Sequence, residues 1–304
     1  LLSVALLFAG CATAPSIAVF EQGWSASWPE RVLLAEVPFF AQDDTLCGPT
    51  SLAMVAQAAG SSVTPQVLTP QVYLPGRQGS LQVEMLAAAR RHGLVPYTLA
   101  PTLAALLDEV AAGAPVLVLQ NLSLPIAPQW HYAVVIGYDR AAQTIVLHSG
   151  TTPRLVMPLA TFEHTWARSD RWAVRVAAPD QLPSTAQPDA WAQAVASLER
   201  IDPVAASTAW RAALSRWPDH RISLLGLGNA AYVQGQREPA ATAYLAAVQA
   251  HPDFADAWNN LAQVRLEQGK RAAAAEAIAR AVALGGPRLA DYKALQRRIG
   301  AAPR

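Results

Sequence analysis

Cys47 stands in the run Gln42-Asp43-Asp44-Thr45-Leu46-Cys47-Gly48-Pro49-Thr50-Ser51. The turn residues before it and the small residues after it predict a helix that opens at the thiol. A thiol attacks a carbonyl carbon as thiolate, and a helix amino terminus lowers its pKa by placing partial positive charge beside it. Gly48 has no β-carbon, which predicts room for a substrate backbone at the nucleophile. The oxyanion made by such an attack needs donors arranged beforehand. The Cys47 N–H is one, and the side-chain amide of Gln42, five residues upstream, is another if the turn folds back. A general base is then required, and His131 is best placed, opening a strand directly after Trp130. His131, His148 and His164 are spaced too widely and irregularly for a zinc site, so no metal and no cofactor is expected.

These side chains need a scaffold of helices followed by strands. Leu52, Val55, Ala56 and Ala59 keep helical spacing after Cys47, and Gly60 stops that helix. Further helices are predicted over Leu81 to His92 and Leu103 to Ala112, each stopped by glycine. Strand patterns follow at Pro115 to Asn121, His131 to Tyr138, Thr144 to Ser149 and Arg171 to Val176. Residues 32–40 read as an extended segment. Helices first and an antiparallel sheet afterwards make an α+β domain, expected over residues 31–178.

Gln42, the Cys47-Gly48-Pro49-Thr50-Ser51-Leu52-Ala53-Met54 run and, downstream, His131-Tyr132-Ala133-Val134-Val135-Ile136-Gly137-Tyr138-Asp139 resemble the bacteriocin-processing cysteine peptidase family. The resemblance covers about residues 36–175. It implies a papain-like fold, Cys47 as nucleophile, His131 as base and later acid, and Gln42 in the oxyanion hole. The family places an Asp followed by Pro on the strand after the histidine strand. Here that stretch is Val146-Leu147-His148-Ser149-Gly150, with no carboxylate. His148 is the nearest candidate to orient His131, and Ser149 the next. Asp139 falls in a hairpin turn, too far along the strand. Relatives that couple cleavage to export carry a membrane domain and an ATPase. This sequence has no long apolar span after Cys11 and no phosphate-binding Gly-x-x-x-x-Gly-Lys loop, so coupled export and ATP are not expected.

From Asp189 onward the strand patterns stop and a 34-residue step appears. It links Pro218 with Pro252, Gly235 with Gly269, Leu227 with Leu261 and Ala240 with Ala274. Ala213, Ala247 and Ala281 extend the step, with Trp210, Tyr244 and Ile278 three residues before each. This is the tetratricopeptide period, a helix pair that buries its apolar face only by stacking on the next. An all-α array with a capping helix is expected over residues 189–304, after a linker at 179–188. A protein partner is expected on the repeats.

The amino-terminal run Leu1 to Gly10 is apolar, uncharged and too short to span a bilayer. With Cys11 it resembles a bacterial lipobox, which implies lipid on Cys11 over residues 1–11 and a tether at 12–30. Ala12 fits outer-membrane sorting in a Gram-negative bacterium. Of 304 residues, 52% are hydrophobic and 15% charged, which excludes disorder. A net charge of +1 argues against nucleic acid. The apolar excess is largely alanine, 32 residues over 189–304 against 31 in the 188 before. The expectation is an α+β papain-like cysteine peptidase domain followed by an all-α repeat domain. It would be an envelope endopeptidase, lipid-anchored in the outer membrane and facing the periplasm, that cleaves a protein recruited by its repeats. The rival expectation is an inactive papain-like domain serving as a periplasmic scaffold.

Overall fold

The structure is a computed structural model that describes residues 24–41 and 44–301. Cys11 and Gln42 lie outside these. The described residues form two compact units: Thr98–Val176 with the segment that ends at Ala88, and residues from Ala177 onward with Ala89–Tyr97.

In chain order the first part of the molecule runs β1 (Arg31–Leu33), α1 (Cys47–Ala58), α2 (Pro65–Val72), β2 (Tyr73–Leu74), β3 (Gly79–Ser80), α3 (Gln82–Arg91), β4 (Val95–Thr98), α4 (Leu103–Ala111), β5 (Val116–Asn121), β6 (Trp130–Asp139), β7 (Thr144–Ser149), β8 (Thr152–Pro158), α5 (Leu159–Ala167) and β9 (Ala173–Ala177). The main sheet has the order β4-β9-β5-β6-β7-β8, and β2 pairs with β3 apart from it. β6 is the longest strand. It pairs antiparallel with β5 through residues 130–135 and with β1 through residues 137–139. Its eight residues His131 to Tyr138 are all buried, as a strand covered on both faces must be. The α1 helix packs on β5 and β6. It is buried from Cys47 to Ala56, so it is a core helix rather than an amphipathic surface one.

The expected helices and strands are present. The extended reading of residues 32–40 shrinks to β1, because Ala35 and Val37 bond back to Leu33 and Leu34 in turns. Six of these elements were not predicted: α2, β2, β3, β4, β8 and α5. The α2 helix contains Pro70, which reads as a breaker, and β2 and β3 are two residues each. The β8 strand is exposed along most of its length, so its pattern carries no core periodicity.

The second unit continues as α6 (Pro188–Glu199), α7 (Pro203–Arg216), α8 (Arg221–Val233), α9 (Arg237–Ala250), α10 (Ala255–Glu267), α11 (Arg271–Leu284) and α12 (Leu289–Gly300). The 34-residue step is built into its geometry. Gly235 and Gly269 follow α8 and α10 with φ of 76° and 75°, the left-handed conformation that glycine adopts without strain. Ala213, Ala240, Ala247, Ala274 and Ala281 are fully buried between helices, and Trp210, Tyr244 and Ile278 fill the bulky positions. Close approach requires the small residues: a β-carbon at Gly228 would lie 2.3 Å from the Tyr244 ring, and one at Gly226 2.4 Å from the Trp210 indole. Trp191, one place off the repeat register, is fully buried and donates its indole N–H to the Ala209 carbonyl at 3.2 Å.

Candidate active site

Cys47 is the first residue of α1 and is 5% exposed. Among the described residues no side chain caps that end and no acidic residue lies in the first turn, so the helix terminus favours the thiolate. Pro49 fits there because its missing N–H has no helical partner in the first turn. The helix is fastened to β6 where Ser51 Oγ donates to the Tyr132 carbonyl at 3.2 Å. That bond holds the thiol helix against the residue next to His131.

His131 is 7% exposed and pairs in register with Gln120 of β5. Its Nε2 lies 2.9 Å from Ser149 Oγ. Ser149, not His148, is the group at the imidazole. The expectation for His148 is corrected by its own bonds: its Nε2 bonds the Val37 carbonyl at 3.2 Å, and its Nδ1 accepts the Arg154 N–H at 3.2 Å. Both ring nitrogens are committed to main chain, which fixes the neutral Nε2–H tautomer. Burial pushes the His148 pKa below the ordinary 6.5, with Arg154 acting the same way against the Val37 bond. An irregularity in the β7–β8 ladder between Leu147 and Ser149 leaves His148 unpaired with β8 and is where Arg154 reaches it.

The cleft beside Cys47 has a volume of about 650 Å³ and is lined by Ser80, Tyr132, Trp130, Arg77 and Arg168 among others. Burial, and then the negative charge of a Cys47 thiolate, push the Tyr132 phenol far above its usual pKa. Tyr132 therefore stays a neutral donor, and its hydroxyl bonds the Ser80 carbonyl at 3.2 Å. Gly48 does not leave space for substrate as expected. A β-carbon there would sit 2.3 Å from Ser80 Oγ and 2.5 Å from Ser80 Cβ, so its missing side chain admits β3 instead. The wall formed by residues 168–170 is held by a half-buried ion pair, Arg171 Nε to Glu163 Oε1 at 2.7 Å, and by Ser169 Oγ donating to Trp166 O at 2.7 Å. Asp170 and Arg171 both take positive φ, local strain held in place by these bonds.

Of the residues singled out in sequence, Cys47 and His131 are carried by elements packed on one another, and His148 is directed elsewhere. Gln42 lies outside the described residues. Ser149 was the second candidate as orienter. Tyr132 and Ser80 were not foreseen; only the adjacency of Tyr132 to His131 hinted at one of them.

Residues 34–174 match the Peptidase_C39 like family, and residues 192–239 and 225–288 match the tetratricopeptide repeat. The chain carries a C39-like peptidase domain followed by tetratricopeptide repeats. No curated protein matches the chain. Among solved structures, a C39-like peptidase from Bacillus anthracis shares 21% identity at a TM-score of 0.43, covering 49% of this chain and 98% of that one. The Sgt2 tetratricopeptide domain from Aspergillus fumigatus shares 22% identity at a TM-score of 0.34, covering 38% and 85%. The MamA protein shares 18% at 0.32, covering 38% and 68%. The family matches cover most of the C39-like domain and the repeats, so the α+β and all-α halves of the expected architecture are both present.

Proposed function

We propose that this C39-like domain is a cysteine endopeptidase acting on a protein that the repeats deliver. The observation that carries the reading is the fastening of the helix that opens at Cys47 to the strand of His131, through Ser51 and the Tyr132 carbonyl. Cys47 Sγ attacks the scissile carbonyl as its proton passes to the imidazole of His131. The same imidazole then gives that proton to the leaving amine, and a thioester remains on Cys47. Water, deprotonated by His131, attacks the thioester and releases the acid and the thiol. The Cys47 N–H and the Gln42 amide hold the negative oxygen in both steps. Ser149 orients the imidazole from Nε2. Lipid on Cys11 would hold the molecule at the outer membrane, facing the periplasm.

A second reading, a peptide-binding scaffold without turnover, is favoured by one observation. The group on His131 Nε2 is a hydroxyl rather than a carboxylate, and a hydroxyl stabilises an imidazolium less. The two readings separate when envelope protein extracts are incubated with the wild-type chain and with Cys47→Ala, and new amino termini are mapped. The enzyme reading predicts termini that form only with the wild type. Identical termini in both, or none, would favour the scaffold.

A further inference from the structure

The loop that joins β5 to β6, residues 122–129, exposes its large apolar side chains at the rim of the cleft. Leu124 is 60% exposed and Ile126 91%, and Trp130 at the loop's end is 50% exposed. No Asp, Glu, Lys or Arg occurs from Pro115 to Tyr138. The loop is rigidly built. Asn121 Oδ1 accepts the N–H groups of Ser123 and Gln129, both at 3.0 Å. The Leu122 N–H bonds Gln129 O and the Ala127 N–H bonds Leu124 O. Arg168 Nη1 donates to the carbonyls of Ser123 at 2.7 Å and Asn121 at 3.3 Å.

We infer that this loop docks the C39-like unit on a phospholipid surface, with Leu124 and Ile126 entering the boundary between headgroups and acyl chains. Three features choose lipid over a peptide partner. First, the N–H groups of Leu122, Ser123, Ala127 and Gln129 are bonded within the loop or to Asn121 at its base, and Pro125 and Pro128 have none, so the donors left for headgroup water and phosphates are those of Leu124 and Ile126. Second, the tip protrudes: the cleft wall uses Pro128, Gln129 and Trp130 but not Leu124 or Ile126. Third, the base carries an indole and a guanidinium, the groups that suit the interfacial layer and its phosphates. Docked this way, the cleft opens at headgroup level, and the substrate class becomes segments presented at a membrane surface. This consequence rests on the peptidase reading; the docking itself does not.

The test uses the full chain with Cys11→Ala, so that no acyl chain contributes, and sedimentation with phosphatidylethanolamine/phosphatidylglycerol vesicles. The inference predicts co-sedimentation, and a bound fraction lowered about tenfold or more by Leu124→Glu with Ile126→Glu. Alkylation of Cys47 without vesicles, unchanged in the double variant, shows that the unit is still folded. If the Cys11→Ala chain does not sediment, or the double variant sediments equally, the inference is wrong. A double variant that loses protein cleavage in solution while the Cys11→Ala chain binds no vesicles would assign the tip to a peptide instead. Vesicle binding by a chain whose Cys47 does no chemistry would retain the docking and remove the peptidase.

Discussion

A carboxylate behind a catalytic imidazole fixes its tautomer and lowers the energy of its protonated form; a serine hydroxyl does the first and little of the second. Ser149 is therefore the residue at which the chemistry is most easily changed. Ser149→Asp should let the thiolate–imidazolium pair form at lower pH, moving the acid limb of Cys47 alkylation down by about one unit. Ser149→Ala should slow alkylation, and equal pH profiles for all three proteins would remove Ser149 from the site. His148 predicts a different pH effect. Its folded-state pKa lies below the ordinary 6.5 through burial, so the unfolded chain takes the proton first as pH falls below that value. Stability is then complete above about 6.5 and declines beneath it. His148→Gln, which keeps a donor for the Val37 carbonyl, should lose less melting temperature between pH 7.5 and 5 than the wild type; equal losses would contradict the assignment. At this scale Cys47 and His131 were legible because a thiol before Gly-Pro and a histidine opening a strand are local patterns. The choice between His148 and Ser149 was not, because adjacent strand residues point opposite ways and the irregularity in the β6–β7 ladder between Val135 and Gly137 sets which one shares a face with His131.

The site depends on how closely β3 approaches the start of α1. Gly48→Ala should cost about 1–3 kcal/mol by overpacking against Ser80 and slow Cys47 alkylation by tilting the helix. Ser80→Gly removes both close atoms and leaves Met85 Sδ at 3.3 Å, so the double variant should recover much of the loss. Thermal melts and alkylation rates of the four proteins form the cycle, and strictly additive effects would mean that the two residues do not meet. Long periodic elements were readable in sequence: α1, α4, β5 and β6 bury continuous apolar runs, and the repeat helices share one period. Short elements were not. The β2–β3 pair has two residues per strand and α2 contains a proline, so neither produces a hydrophobic period, yet β3 supplies Ser80 to the cleft.

At the scale of the molecule, the two architectures were visible as a change in alanine use and in period at about residue 189, and the family matches follow the same division. The repeats also present a groove of about 490 Å³ whose floor includes Asn229, Asn260 and Gln263. Asn229 Oδ1 accepts from the Tyr244 hydroxyl at 2.9 Å and from Asn260 Nδ2 at 3.1 Å, which holds both amides in fixed orientation. Asn229 and Gln263 are one 34-residue step apart, and Asn260 lies one turn before Gln263 on α10, but polar residues at the repeat step add nothing to the apolar period by which the repeats are recognised. If the repeats deliver the substrate, Asn229→Ala with Asn260→Ala should raise KM for the cleaved protein about tenfold and leave kcat and small-probe alkylation of Cys47 unchanged. An unchanged KM would detach the groove from recruitment. Whether Cys47 is a nucleophile served by His131 is decided by intact-mass measurement of the chain treated with an electrophilic peptide. One adduct is expected, mapped to Cys47, formed rapidly at neutral pH by the wild type, at least about a hundredfold more slowly by His131→Ala, and not by Cys47→Ala. Equal rates for wild type and His131→Ala, or an adduct on another residue, would contradict these roles.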